Sequence, residues 1–111
     1  MARLNYVELP VAAIGPAKDF YERAFGWGLT EFGPTYAATM TGDTDIGLQA
    51  DAAEATKAPL PVIDVDDLEA TLAAVEQAGG RIVQPIFAFP GGRRFHFLDP
   101  SGNELAAVKG D

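Results

Sequence analysis

The sequence contains no cysteine and only one histidine, His96. The lack of cysteine excludes a disulfide framework, a thiolate metal site and a catalytic thiol. It is compatible with a reducing compartment, so we expect a cytoplasmic protein. A single histidine limits any metal site to one imidazole ligand. No apolar run approaches the roughly 18 residues that a membrane span needs, so we expect no membrane partner.

Positive charge is also scarce, since 8 Lys and Arg residues stand against 16 Asp and Glu residues, for a net charge of −8. Such a surface repels a phosphate backbone, which argues against a nucleic-acid partner. Hydrophobic residues make up 48% and charged residues 22%, as in ordinary globular proteins. A length of 111 residues suits one domain over residues 1–111.

The same order of predicted elements occurs twice along the chain. In each half a strand precedes an amphipathic helix, a glycine ends the helix, and three strands follow. The first helix is predicted to start with Pro16 in its first position, and the second to be capped at Asp66-Asp67. A shift of 54 residues places Ile14 on Leu68 and Gly26 on Gly80. The predicted organisation is a first module over about 3–50, a linker over about 51–58 and a second module over about 59–109.

Three segments of the sequence resemble the vicinal oxygen chelate superfamily, which includes glyoxalase I, bleomycin-resistance proteins and extradiol dioxygenases. They are the first strand (5–11), the helix with its Phe-Tyr and Phe-Gly-Trp pattern (17–27), and the turn Asp-Pro-Ser-Gly-Asn with its flanks (97–105). The resemblance implies an α+β fold of two βαβββ modules, whose sheets curl around a cup with the helices on the convex face. It also implies a homodimer.

Strand alternation predicts which side chains enter that cup. Val7 and Leu9 should face the helices, which sends Tyr6 and Glu8 inward. In the second module Phe95 and Phe97 are the expected core pair, which leaves the opposite face of that strand for the cup. The remaining side chains predicted to face inward include Tyr36, Ala38, Met40, Gly47, Gln49, Leu60, Val62, Asp64, Arg94, His96, Leu98, Glu104 and Ala106.

Metal-using members of the family hold a divalent ion with His, Gln or Glu side chains from the cup. By resemblance, three of those positions fall on Tyr6, Leu60 and Ala106. The fourth falls within 46–49, where only Gln49 could serve. Phenol is a rare ligand of divalent metals, and Leu and Ala have no donor atoms. We therefore expect no metal and no other cofactor.

The remaining polar residues suggest a small-molecule site. Arg94 and His96 share one face of a strand and could meet a ligand carboxylate together. Glu8 and His96 are the candidate acid and base residues, and Tyr6, Tyr36, Gln49 and Arg94 are the candidate ligand-binding residues. Alternatively, Glu8 forms an ion pair with Arg94, and His96 is a hydrogen-bonded structural residue. The aromatic residues Phe20, Tyr21, Phe25 and Trp27 are expected in the core or in a dimer contact.

The first functional hypothesis is a metal-independent protein of the glyoxalase/bleomycin-resistance type that binds an acidic or aromatic metabolite. A metal-free lyase or isomerase that uses Glu8 or His96 for proton transfer is the second. The third is an interaction module whose cup is filled by its own side chains. Whether the protein is an enzyme is left open by the sequence, and the ligand is not identified.

Overall fold

The computed structural model describes residues 2–111, which form two compact units, one of residues 6–60 and the other of residues 2–5 with 61–111. We refer to residues 3–59, which contain the first βαβββ set, as the first module and to residues 60–111 as the second. Each contains one helix and a mixed sheet in the order βαβββ, with β1 beginning at Arg3 and β5 at Leu60. The α+β class and the two βαβββ modules are therefore confirmed.

The first module contains four strands and one helix. Their bounds are β1 (Arg3–Pro10), α1 (Ile14–Phe25), β2 (Thr30–Glu31), β3 (Tyr36–Ala38) and β4 (Asp45–Gln49). The strand order in this sheet is β2-β3-β4-β1, in which β1 and β4 are parallel and the other pairs antiparallel. Pro10 is the last residue of β1. Proline has no N–H to donate, and at the end of a strand this removes no hydrogen bond from the middle of the sheet.

Helix α1 begins two residues earlier than its Gly-Pro signal indicates. Ile14 is its first residue, so Pro16 lies third and not first. Proline is tolerated there because N–H groups of the first turn have no partner within the helix. Gly26 ends the helix at φ 72°, a left-handed conformation that favours glycine.

One face of the first sheet packs against α1. Ile14, Leu29, Ala37 and Leu48 form the buried core of this module, and Leu9 packs against them. Alternation along the strands leaves the neighbouring residues on the opposite face, which we call the helix-free face. Not all aromatic residues of the helical segment are in the core, because Phe20 is 58% and Phe25 60% exposed.

The second module has the same element and strand order as the first. Its elements are β5 (Leu60–Asp64), α2 (Leu68–Gln77), β6 (Arg81–Phe89), β7 (Gly92–Leu98) and β8 (Glu104–Gly110). The order is β6-β7-β8-β5, with β5 and β8 parallel and the other pairs antiparallel. Because β1, β2, β3 and β4 correspond to β5, β6, β7 and β8, the repeat seen in the sequence is present in the topology.

Helix α2 is capped by a side chain, unlike α1. The Asp67 carboxylate accepts a hydrogen bond from the backbone N–H of Ala70 at 3.0 Å. Asp67, and not Asp66, is therefore the N-cap. Leu68 is the first helical residue and is 1% exposed, as Ile14 is the first residue of α1 and 4% exposed. The two residues that the 54-residue shift superposes thus begin equivalent helices.

The core of the second module lies between α2 and its sheet. Val65, Leu68, Phe95 and Ala107 are buried together, and Phe97 packs against them. The expected core pair of β7 is therefore on the helix side. The helix-free face of β7 carries Arg94 and His96 by alternation, and that of β8 carries Glu104 and Ala106. Within residues 2–111, neither helix is long and apolar enough to cross a membrane.

Candidate functional site

The helix-free face of the first module carries a hydrogen-bonded group of Tyr6, Tyr36 and Glu8. The Tyr36 hydroxyl donates to the Glu8 carboxylate at 3.2 Å, and the hydroxyls of Tyr6 and Tyr36 are hydrogen bonded to each other. Since the one proton of Tyr36 goes to Glu8, Tyr6 is the donor in the second bond. Glu8 is only 3% exposed. Strand alternation therefore predicted correctly that Tyr6, Glu8 and Tyr36 share a face.

Gly47 makes room for the two phenols. A Cβ atom at this position would overlap the hydroxyl oxygens of both Tyr6 and Tyr36. Gly47 pairs with Glu8 across the parallel ladder of β1 and β4, which places it beneath the group. Any side chain at position 47 would have to displace the tyrosine hydroxyls.

Tyr36 is held in its neutral form. Burial raises the pKa of its hydroxyl well above the ordinary value for tyrosine, and the neighbouring Tyr6 and Glu8 raise it further. A phenolate there would lose its solvation and lie beside a carboxylate. Tyr36 therefore acts as a hydrogen-bond donor in this group and does not act as a base.

Gln49 and Met40 were also predicted to face inward in the first module, but their surroundings differ from those of Tyr36. The side-chain oxygen of Gln49 accepts a hydrogen bond from the backbone N–H of Asp51 at 2.9 Å, so this amide stabilises the turn after β4. Met40 lies beyond the end of β3 and is 67% exposed. Strand β3 ends at Ala38, and alternation no longer determines the direction of residue 40.

The second module carries a basic and aromatic group on its helix-free face. The guanidinium carbon of Arg94 lies 5.2 Å from the ring centroid of Phe87 and 5.3 Å from that of Phe89. The Phe87 ring also lies 5.9 Å from the ring of His96, centroid to centroid, with the planes tilted by 42°. Cation–π contacts of this kind hold the planar guanidinium in a fixed orientation.

Two irregularities in β6 bring the aromatic rings into this group. They lie on either side of Gln84 and give β6 two more residues than β7 over the paired segment. Because the number of extra residues is even, Ile82 remains on the helix side and Phe87 faces Arg94 across the ladder. Phe87 and Phe89 both contact the Arg94 guanidinium.

His96 is bound on one side only. Its Nδ1 atom lies 2.8 Å from a carboxylate oxygen of Glu104, whereas Nε2 is buried and has no hydrogen-bond partner within residues 2–111. The residue is 3% exposed. An ionised carboxylate can only accept, so Nδ1 carries the proton and the Nε2 of a neutral imidazole presents a lone pair. The arrangement is that of a carboxylate–histidine pair with one nitrogen available.

Glu104 is the functional candidate that the sequence did not single out. Alternation placed it on the same face as His96, but the bond depends on the register of the β7–β8 hairpin. Leu98 pairs with Glu104 and His96 with Ala106, so Glu104 lies diagonally next to His96. The signal in the sequence that could have indicated this bond is that His96 and Glu104 lie on the same face of two strands joined by a short turn.

The neighbouring Arg93 points the other way and has a different partner. Its guanidinium binds both carboxylate oxygens of Glu69 on α2, at 2.6 and 3.2 Å. Arg93 and Arg94 are therefore adjacent in sequence but lie on opposite faces of β7. Only Arg94 belongs to the group on the helix-free face.

Comparison with known proteins identifies the family. Residues 3–107 match the family model described as Glyoxalase/Bleomycin resistance protein/Dioxygenase superfamily. The chain belongs to this superfamily. The proteins named "Putative glyoxylase CFP32" of Mycobacterium bovis and Mycobacterium tuberculosis are each 30% identical to it over 88% of its length. The chain spans 42% of these curated relatives.

Solved structures of the superfamily share the fold. Methylmalonyl-CoA epimerase from Mycobacterium tuberculosis aligns with a TM-score of 0.76 and 17% identity, over 98% of this chain and 88% of that one. The Mn(II)-bound glyoxalase from Novosphingobium aromaticivorans aligns with a TM-score of 0.67 and 22% identity, over 98% of this chain and 40% of that one. At these identities the likeness concerns the fold alone.

The positions where the superfamily places metal ligands do not fit a divalent ion in this chain. Leu60 and Ala106 are 0% exposed and have no donor atom, and the Tyr6 hydroxyl is bonded to that of Tyr36. The strand pairing also changes which residue is assigned to the fourth of these metal-ligand positions. Val62 pairs with Ala106 as Glu8 pairs with Gly47, so the equivalent of Ala106 is Gly47 and not Gln49. Within residues 2–111 there is also no group of three or more His, Cys, Asp or Glu residues arranged to hold a metal.

Proposed function

We propose that this domain is a metal-independent small-molecule-binding protein of the glyoxalase/bleomycin-resistance type, and that the helix-free face of its second module binds an acidic or aromatic metabolite. The observation that carries the proposal is the buried Nε2 atom of His96, which has no partner within the described residues. Leaving a buried polar atom unsatisfied costs about 1–3 kcal/mol, and a ligand group that bonds to it removes this cost.

The surroundings of His96 favour an anionic or aromatic ligand. Arg94 supplies a permanent positive charge on the same face, and Phe87 and Phe89 hold its guanidinium in place. A bound anion would gain charge-assisted hydrogen bonds from Arg94. A planar ring would find aromatic neighbours. A cation would be repelled, which also argues against a metal ion at this place.

A binding screen on matched variants tests this proposal. Small aromatic and aliphatic acids and phenols are screened by thermal shift, and the hits are measured by calorimetry on the wild type, Arg94→Met and His96→Ala. Loss of a charge-assisted bond worth about 1.5–3 kcal/mol predicts roughly 10- to 150-fold weaker binding to Arg94→Met. Arg93→Met is the control, because it removes the same charge from the other face of β7.

Two results would contradict the proposal. Hits that bind the wild type, Arg94→Met and His96→Ala equally would show that the basic pair is structural. Failure of every compound to bind would also contradict it. Either result would favour the interaction module, in which the face contacts the protein's own side chains. His96→Gln is measured beside His96→Ala, since it preserves more of the buried volume.

A metal-free lyase or isomerase is the second candidate function. The bond between His96 Nδ1 and Glu104 favours it, because this bond leaves Nε2 as the proton acceptor that general base catalysis requires. Glu8 is the weaker base candidate, since its carboxylate already accepts a bond from Tyr36. Hits with an acidic C–H group are incubated in heavy water. Exchange catalysed by the wild type and lost in His96→Ala indicates the enzyme, whereas binding without exchange indicates the binding protein.

The proposal includes a homodimer in the cytoplasm. The family resemblance of the sequence supports the homodimer, and the lack of cysteine suits a reducing compartment. Sedimentation equilibrium should give twice the 11.7 kDa chain mass. A single-chain mass at micromolar concentration would contradict the homodimer.

A further inference from the structure

We propose that the ligand of the second module carries a weakly acidic hydroxyl on a planar ring, as a phenol does, and that this hydroxyl gives its proton to Nε2 of His96 on binding. This inference rests on the proposed function and narrows it. The proposed ligand class narrows from acidic or aromatic metabolites in general to phenol-like compounds that are bound as their phenolates.

The direction of the hydrogen bonds at His96 selects a ligand that donates. Glu104 lies 2.8 Å from Nδ1 and can accept its proton, so in the neutral form of the ring the Nε2 atom carries a lone pair. A carboxylate has no hydrogen to offer this lone pair and would have to bind through Arg94 alone. A hydroxyl brings its own proton and so complements the neutral ring.

The charges around His96 stabilise the products of the transfer. In the transfer the O–H bond of the ligand breaks, its electron pair stays on the oxygen, and an N–H bond forms at Nε2. The imidazolium then lies between the Glu104 carboxylate and the new phenolate. Arg94, two residues away on the same strand face, is a second cation for the phenolate oxygen.

The other elements that pack beside His96 add little charge. Strand β6 presents the Phe87 ring and, at the register of His96, the uncharged Gln84. Strand β8 contributes Glu104 and the apolar Ala106, and Asp64 lies one strand further on the same face. Among the residues that these pairings place around His96, Arg94 and Glu104 carry charge, one of each sign.

The aromatic side chains favour a ring as the carrier of the hydroxyl. Phe87 contacts both the Arg94 guanidinium and the His96 imidazole, and Phe89 contacts the guanidinium. A phenol would stack among these rings with its oxygen toward His96 and Arg94. Aliphatic alcohols lack both the stacking surface and the acidity needed for the proton transfer.

The experiment uses 4-nitrophenol, whose phenolate absorbs visible light and whose neutral form does not. The full chain is titrated at a pH where free 4-nitrophenol is protonated, and the difference spectrum and affinity are recorded. 4-Nitroanisole, which lacks the hydroxyl proton, and 4-nitrobenzoate, which is a carboxylate, are measured in parallel. We expect the phenolate band to appear with the protein, and 4-nitroanisole to bind at least about tenfold more weakly.

Variants connect the band to the proposed pair. His96→Gln and His96→Asn should both abolish it. Glu104→Gln removes the counter-charge of the imidazolium, so 4-nitrophenol should bind with the band reduced at least about tenfold. Glu104 is a positioning residue, because it acts on the ligand through His96. The phenolate band reports on this role, whereas a loss of stability alone would not change the band. Glu76→Gln is the control, since Glu76 is an exposed residue of α2.

The possible failures of the two proposals are distinguishable. If 4-nitrophenol binds without the band, if 4-nitroanisole binds equally well, or if Glu104→Gln keeps the full band, the proton transfer is refuted and the binding function stands. The same conclusion follows if only 4-nitrobenzoate binds. If neither the three probes nor the screened acids and phenols bind, both proposals are refuted.

Discussion

Gly47 of β4 and Ala106 of β8 occupy equivalent positions in the two modules. Each lies opposite a residue of the parallel strand that opens its module, Glu8 for Gly47 and Val62 for Ala106. Neither has a side chain that could bind a ligand. In the first module the space is taken by the hydroxyls of Tyr6 and Tyr36, which a Cβ at Gly47 would displace.

Gly47→Ala should destabilise the protein, because the added methyl group overlaps two phenol oxygens. Overpacking of this kind typically costs about 1–3 kcal/mol, measured as the free energy of unfolding in urea. Gly28→Ala is the control, since a Cβ there meets no atom within 4 Å. In a background with Tyr6→Phe and Tyr36→Phe the cost at position 47 should shrink. An equal cost in both backgrounds would contradict this account.

The protein should bind no divalent metal of the family type, because the equivalent positions hold Tyr6, Gly47, Leu60 and Ala106. Zinc, nickel, iron or manganese should be absent at stoichiometric level from protein purified without chelators. Their addition should not raise the melting temperature, since only an ion that binds the folded state would do so. Elemental analysis that finds about one ion per chain would overturn the prediction.

Tyr36 should make stability depend on alkaline pH. Burial raises the pKa of its hydroxyl in the folded protein above the ordinary value of 10.0. The folded state therefore holds this proton more tightly than the unfolded state. The stabilisation is full below about pH 10 and is lost as pH rises beyond it, by at most about 1.4 kcal/mol per pH unit.

Urea unfolding from neutral to alkaline pH measures this slope. Tyr36→Phe should flatten the fall in unfolding free energy above about pH 10, because the group that titrates on unfolding is gone. Tyr21→Phe, which changes a ring stacked on Trp27 at 5.6 Å, is the matched control. Equal slopes for the two variants would show that Tyr36 is not the responsible group.

Asp99 should act on stability and not on binding. The Asn103 side chain and backbone lower the pKa of its carboxyl, assisted by the backbone N–H groups of Ser101 and Gly102. The folded pKa lies below the unfolded one, so the contribution is present above about pH 4 and is lost as pH falls further. Asp99→Ala should lower the melting temperature at pH 7 and flatten its dependence on acid. An Asp99→Ala variant that loses affinity for the hits, with its melting temperature unchanged, would assign the turn to the ligand site.

Elements and faces were predictable where a local rule governs them. The alternation of Phe95 and Phe97 with Arg94 and His96 follows from the two-residue period of a strand, and the structure confirms it. The repeat was also detectable, since Ile14 and Leu68 begin equivalent helices. The start of α1 was not predictable from the sequence, because proline is tolerated anywhere in the first turn of a helix. Pro16 therefore does not mark the exact beginning of α1.

The sequence by itself determined the α+β class, the two βαβββ modules and the faces on which Tyr6, Glu8, Tyr36, Arg94 and His96 lie, because these follow from periodicity and from family motifs. Only the tertiary structure decided which side chains contact one another. The bond between His96 and Glu104, the contact of Phe87 with Arg94 and the place of the tyrosine hydroxyls over Gly47 depend on strand register and on two irregularities in β6. Register is a cooperative property of paired strands, and no single segment encodes it.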